Sequence, residues 1–234
     1  MGQSKADNGA AVRRPGTRAV AMPVFIAFAV AAGTVASLTG PAAAGHAGSV
    51  AARPGHAGLE LVSMSSAGVQ GDQDSQRPAV SADGRYVVFG SLAANLVPDD
   101  TNLSSDIFVH DRRTGRTQRI SVSAAGVEGD RDSGLLNGMG GPSISADGRF
   151  VAFDSEATNL VLGDTNGTSD VFVKDRLTGA LERVSVGTGG VQASGTEPTI
   201  SADGRFVAFR SFDDRIVPDG NFFSDISCTT AALG

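Results

Sequence analysis

A short loop with oxygen-bearing side chains at alternate positions occurs three times in the chain. It reads Asp100-Thr101-Asn102-Leu103-Ser104-Ser105-Asp106, then Asp164-Thr165-Asn166-Gly167-Thr168-Ser169-Asp170, then Asp219-Gly220-Asn221-Phe222-Phe223-Ser224-Asp225. Such spacing is how a short loop wraps calcium, a hard cation that takes roughly six to eight oxygen ligands. Asp100, Asn102, Ser104 and Asp106 make one candidate set, and Asp164, Asn166, Thr168 and Asp170 a second; the third copy loses its hydroxyl to Phe223. The competing reading is a turn in which Asp and Asn bond their own backbone, and it needs no cofactor. The distal Glu of a helix-loop-helix site is missing, which favours the turn.

Catalytic constellations are harder to find. Of the three histidines, His46 and His56 stand in a Gly- and Ala-rich leader, and His110 gives way to Lys174 in the corresponding later stretch. His110 therefore reads as a solvated strand residue. No Gly-x-Ser-x-Gly elbow occurs, so the nucleophile of an α/β-hydrolase is missing. The Ser-Ala-Asp-Gly sequences resemble the Asp box of sialidases, but that motif separates Asp from Gly. Asp83, Asp147 and Asp203 read as turn residues, and nothing singles out a glycosidase pair among the 25 acidic residues. A formal charge of −6 without a Lys/Arg cluster excludes nucleic acid as a partner. The one cysteine, Cys228, cannot form an internal disulfide.

These loops are positioned by an internal repeat. Ser81-Ala82-Asp83-Gly84-Arg85-Tyr86-Val87-Val88-Phe89 returns as Ser145-Ala146-Asp147-Gly148-Arg149-Phe150-Val151-Ala152-Phe153 and as Ser201-Ala202-Asp203-Gly204-Arg205-Phe206-Val207-Ala208-Phe209. Each copy reads as a turn at Asp83-Gly84, Asp147-Gly148 or Asp203-Gly204, where glycine accepts positive φ, followed by an aromatic and β-branched strand. Strands are expected at 78–81, 86–89, 106–110 and 117–123, and at 142–145, 150–153, 170–174 and 181–186. Arg113-Thr114-Gly115 and Leu177-Thr178-Gly179 supply the last turns, and 135–140 reads as a surface loop. The second strands are apolar at consecutive positions, as in sheets covered on both faces, and no window holds a helical period. The fold class is all-β: four-stranded antiparallel blades of a β-propeller, about three of them, near 77–123, 142–186 and 198–226.

The pattern Pro-x-[Ile/Val]-Ser-Ala-Asp-Gly-Arg-[Phe/Tyr]-Val-[Ala/Val]-Phe, followed by Asp-[Ile/Val]-Phe-Val-x-Asp and Thr-Gly, resembles the WD-like propeller repeats of the TolB family. It covers residues 59–226. The resemblance implies an exported, non-enzymatic propeller that works through protein contacts in the cell envelope. The TolB partners do not carry over, because the matching residues build blades. The spacing from Asp83 to Asp147 to Asp203 also exceeds the ~40–45 residues usual for such repeats. The alternative is the propeller part of a larger exported hydrolase of peptidase type.

Residues 1–44 read as an export signal. Arg13, Arg14 and Arg18 form a basic front, 24–32 is an apolar run, and Ala42 and Ala44 fit the small-x-small rule for cleavage. The apolar core is short for a membrane span, so cleavage is favoured over a retained anchor and leaves no stable span. A flexible leader at 45–58 follows, and the exported chain is more acidic than the precursor. At the other end, 227–234 departs from the repeat after Ser224-Asp225-Ile226. The third unit therefore reads as two strands and a stub, with Glu60 to Ser65 as a leading strand like a fourth strand. Such an open arc exposes an apolar face and an unpaired edge, which invites self-association. The exported protein is expected to begin near Gly45. N-terminal sequencing that returned Met1, or a residue beyond Leu59, would refute the signal.

Overall fold

In a computed structural model the described residues are 58–134, 141–216, 218 and 223–233. The export signal with Ala42 and Ala44, the leader up to residue 57, His46, His56, the 135–140 insertion and most of the third acidic loop lie outside them. Eleven strands are present among the described residues. The first antiparallel sheet has the order β1 (Ser75–Val80), β2 (Tyr86–Ser91), β3 (Asp106–Asp111) and β4 (Arg116–Arg119). The second repeats it as β5 (Ser143–Ile144), β6 (Phe150–Ser155), β7 (Asp170–Asp175) and β8 (Leu181–Arg183). The third holds β9 (Thr196–Ile200), β10 (Phe206–Ser211) and β11 (Asp225–Thr230). These are β-propeller blades, with three of the four strands in the last.

The middle strands decide the stacking. Strands β3, β6 and β7 are buried at all six positions, because both faces of each sheet are covered. Val88, Ile107, Val109 and Ile120 of the first blade pack on Val151, Phe153, Leu160 and Phe172 of the second. Ala152, Val171, Val173 and Val184 meet Val207, Phe209 and Ile216 of the third. Burying one such side chain contributes about 1.5–3 kcal/mol.

The turn between first and second strand is identical in the three blades. Gly84 N donates to Ser81 O (2.9 Å), Arg85 N to Asp83 Oδ1 (3.0 Å) and Ser81 Oγ to Asp83 Oδ1 (2.6 Å). Only the glycine takes positive φ: +71° at Gly84, +74° at Gly148 and +76° at Gly204. Successive turns are tied together, since Ala82 N donates to Ala146 O (3.0 Å) and Ala146 N to Ala202 O (2.9 Å).

Four expectations from the sequence are corrected. The fourth strands stop at Arg119 and Arg183, because Val122 N turns back to Ile120 O (2.7 Å) and Val186 N to Val184 O (2.9 Å). The same tight turn, Met64 N to Val62 O (2.9 Å), leaves Glu60 to Ser65 without a strand; Met64 forms only a bridge to Gln70. At the far end β11 runs through Thr230 and pairs with β10 along its whole length, so 227–230 belongs to the sheet although the motif has gone. Backbone hydrogen bonds need no particular side chain, and Thr229 and Thr230 suit a strand. His110, finally, is buried rather than solvated, with its Nδ1 2.9 Å from Thr117 Oγ1.

A Cβ at Gly148 would lie 2.1 Å from Tyr86 Cδ2, whereas at Gly115, which has φ +71°, nothing lies within 4 Å. Gly115→Ala should therefore cost about 1 kcal/mol in urea unfolding, for the left-handed backbone alone. Gly148→Ala should cost about 2–4 kcal/mol, because overpacking is added. Equal costs would contradict the ring contact.

Candidate functional site

Strand direction separates two sets of loops. The Ser-Ala-Asp-Gly turns and the Thr-Gly turns share one end of the blades; the acidic loops and the connections between blades share the other. Asp111 and Asp175 end β3 and β7 at the first end, beside the turn arginines. Arg85 Nε and Nη2 bond Asp111 at 3.0 and 2.7 Å, and Arg149 bonds Asp175 at 3.1 and 2.7 Å. These bidentate bonds hold both carboxyls well below the usual carboxylate range. Asp83, Asp147 and Asp203 are also lowered, first by the serine hydroxyl of their own turn. All six turn residues singled out from the sequence thus have work inside the frame.

At the other end the acidic loops fold onto the following connection. Asn102 Oδ1 accepts from Ser104 N (2.9 Å), and Asn166 Oδ1 accepts from Thr168 N (3.2 Å), which is Asx-turn geometry. Asn102 Nδ2 donates to Asp106 Oδ2 (3.1 Å), and Asn166 Nδ2 to Asp170 Oδ1 (3.2 Å). The carboxylates meet around a cation of the chain itself. Arg119 Nη1 lies 3.3 Å from both Asp100 and Asp106 and 2.8 Å from Glu128. In the second blade Arg183 Nη1 lies 3.3 Å from Asp164 and 3.8 Å from Asp170.

The structure therefore brings together the two sets Asp100, Asn102, Ser104, Asp106 and Asp164, Asn166, Thr168, Asp170, but with a guanidinium between the acids. Among the described residues no group of three or more His, Cys, Asp or Glu is arranged to hold a metal ion. Sequence reasoning missed both arginines. Their signal was present, since Gln118-Arg119-Ile120-Ser121 and Glu182-Arg183-Val184-Ser185 recur at the same place in the repeat. Burial outweighs these arginines, and Asp100 and Asp170 are each pushed up to about 6.

A third acidic group lies between the blades. Asp154 of β6 is fully buried, and neither carboxylate oxygen has a hydrogen-bond partner. Burial pushes it up to about 6; Arg77 opposes the shift, and Glu197 and Glu156 add to it. Arg77 and Glu197 line a cleft of about 380 Å³ with Pro78, Pro142 and Pro198, where the first strands of the blades converge.

No protein-family profile matches the chain, and no curated protein matches its sequence. Solved structures do. TolB of Agrobacterium tumefaciens is 18% identical over 67% of this chain and 46% of that one, with a TM-score of 0.42. The β-propeller domain of the Trilobed protease from Pyrococcus furiosus is 13% identical over 68% and 39%, at 0.41. The Pyrococcus horikoshii acylaminoacyl peptidase is 18% identical over 64% and 19%, at 0.37. The chain spans less than half the length of each of these proteins.

A carboxyl raised from about 4 to about 6 favours folding below pH 4, and that contribution is lost as pH rises through 6. Asp154→Asn removes the loss. Its melting temperature should exceed wild type at pH 7.5, by an amount worth roughly 1–3 kcal/mol, and approach wild type below pH 4. Comparison with wild type is needed because His110, lowered by burial, moves stability the opposite way near its usual pKa. A pH-independent difference would contradict the burial of an ionised Asp154.

Proposed function

We propose that this chain is an exported β-propeller segment that binds protein rather than transforming a substrate, in the cell envelope or outside the cell. One observation carries the reading. The polar groups repeated from blade to blade are engaged inside the frame, while the outer face of the third sheet turns apolar side chains to solvent. Ile226 is 75% exposed and Phe212 59% towards one end of β10, and Phe206 is 43% exposed at the other end. Exposed apolar side chains along one sheet face are the ordinary mark of a protein-binding surface. Export is supported by the basic front, apolar run and Ala42-x-Ala44 of the sequence.

Charge fits the same reading. A net −6 suits a soluble protein that avoids nucleic acid and acidic surfaces. Among the described residues no helix is long and apolar enough to cross a membrane.

The test immobilises the exported protein and identifies what it retains from the native envelope and secreted fraction. A retained protein should be lost with Ile226→Asp, a change at an exposed position that should leave the unfolding free energy within about 0.5 kcal/mol of wild type. Retention indifferent to Ile226→Asp, or hydrolysis of peptides by the purified chain, would overturn the proposal.

A further inference from the structure

The contact between neighbouring blades has a plug and a seat. The plug is the first aromatic of the second strand, and the seat is the Ser-Ala-Asp-Gly turn of the next blade. Tyr86 lies against Gly148 so closely that a Cβ there would stand 2.1 Å from the ring, and Phe150 lies against Gly204 in the same way, at 2.3 Å. At the first contact Arg176 also stacks on the Tyr86 ring, 4.3 Å from its centroid, while the ring's own neighbour Arg85 stacks at 4.6 Å. The Ala-to-Ala backbone bond described above accompanies each contact.

One half of this contact is left over at each end of the described blades. Phe206, the third plug, is 43% exposed and has only its neighbour Arg205 stacked on it, at 5.2 Å. The Ala202 amide has no carbonyl to donate to among the described residues. At the opposite end Gly84 has the same positive φ as Gly148, but a Cβ there would meet only Arg112, at 3.6 Å. Arg112 Nη1 donates to Gly84 O (2.7 Å), as Arg176 Nη1 donates to Gly148 O, and Glu60 holds its other nitrogen at 2.9 Å. The first turn is therefore a formed seat on which no ring lies among the described residues.

The apolar surfaces match as well. Leu160 and Val161 of the second blade pack against the first, but the corresponding Leu96 and Val97 border an open groove with Ala94 and Pro98. Val88, Ile107 and Val109 of the first blade are covered by the second, but the corresponding Ala208, Ile226 and Cys228 form the outer face of the third, where Ile226 and Cys228 are exposed and Ala208 is half-buried.

We infer that two copies of this chain associate head to tail, with Phe206 of one copy seated on the Gly84–Arg112 turn of the other and the Ala202 amide bonding the Ala82 carbonyl. The occupant is a second copy because this chain already makes the same contact twice within itself. Each end carries the half that the other needs, so the interface continues an established one. It is heterologous, and such contacts close into rings when the rotation allows. The inference rests on the protein-binding reading above and assigns the partner of that face.

Light scattering on the exported protein should give a dimer, and Cys228, on the covered face, should react slowly with a maleimide. Phe206→Ser and Gly84→Ala should each give a monomer with a fast-reacting Cys228. Ile226→Asp, at a more exposed position, guards against a Phe206→Ser that fails to fold, and should do the same. Mixing Phe206→Ser with Gly84→Ala restores one intact plug and one intact seat, so a one-to-one dimer should reappear in the mixture alone. A wild-type monomer with fast-reacting Cys228, or a dimer that survives both substitutions, overturns the inference. If that monomer still retains another protein through Ile226, the binding proposal stands and only the choice of partner fails. If it retains nothing, both fail.

Discussion

An aromatic ring laid on a backbone with no side chain is the contact on which this architecture depends. Tyr86 on Gly148 and Phe150 on Gly204 set how closely one blade can approach the next. Glycine is required there twice over, once for the left-handed backbone of the turn and once for the space the ring occupies. With the rings seated, the turn amides and carbonyls come into register for the Ala82–Ala146 and Ala146–Ala202 bonds. The flat apolar faces behind them then meet at packing distance, and the large buried Val, Ile and Phe side chains of the middle strands follow.

Charge is handled by a second rule, in which the carboxylates repeated at the two ends of β3 and β7 each receive an arginine from the same blade. The outcome depends on how the arginine meets the carboxylate. Asp111 ends β3, where the two bonds from Arg85 and one from Arg113 N win, so it stays charged at very low pH. Asp106 begins the same strand fully buried, and desolvation wins over Arg119 and the Ser121 hydroxyl, so it is raised. Two aspartates five residues apart on one strand are thus driven in opposite directions by geometry alone. Buried pairs of this kind contribute little net stability but are costly to break, which fits a role in fixing where the acidic loops dock.

Much of the fold was legible because blade strands carry a strong local signal. The turn motif and the apolar runs that follow it located β2, β6 and β10, and the Asp-[Ile/Val]-Phe-Val pattern located β3 and β7. What escaped was set by contacts distant in sequence. Thr117–Ser123 looked like one β-branched run, yet a tight turn at Ile120 breaks it so that the chain can cross to the next blade. Lys174 is buried because its ammonium reaches the Val122 and Ser123 carbonyls beyond the corresponding turn, both at 3.1 Å, and no spacing rule announces that partner. The acidic loops could be read two ways for a related reason. Their alternating oxygens are equally those of an Asx turn, and the cation they face, Arg119 or Arg183, lies at a separate place in the sequence.

Where units of a repeat differ, the frame is not the explanation. The positions of Gly90, Asp154 and Arg210 are equivalent in β2, β6 and β10, yet they hold no charge, a negative charge and a positive charge. Arg210 is answered by Glu197 at 2.9 Å, and Gly90 needs no answer. Asp154 has no hydrogen-bond partner and lies in the field of Arg77 and Glu197, themselves residues of the first strands with φ of +55° and +57°. A buried, unanswered carboxylate and two strained backbone positions each cost stability, on the order of 1–3 kcal/mol apiece. Stacked sheets gain nothing from the carboxylate, since the first blade manages with Gly90. The carboxylate at the convergence of the first strands is therefore a property of this molecule rather than of its architecture.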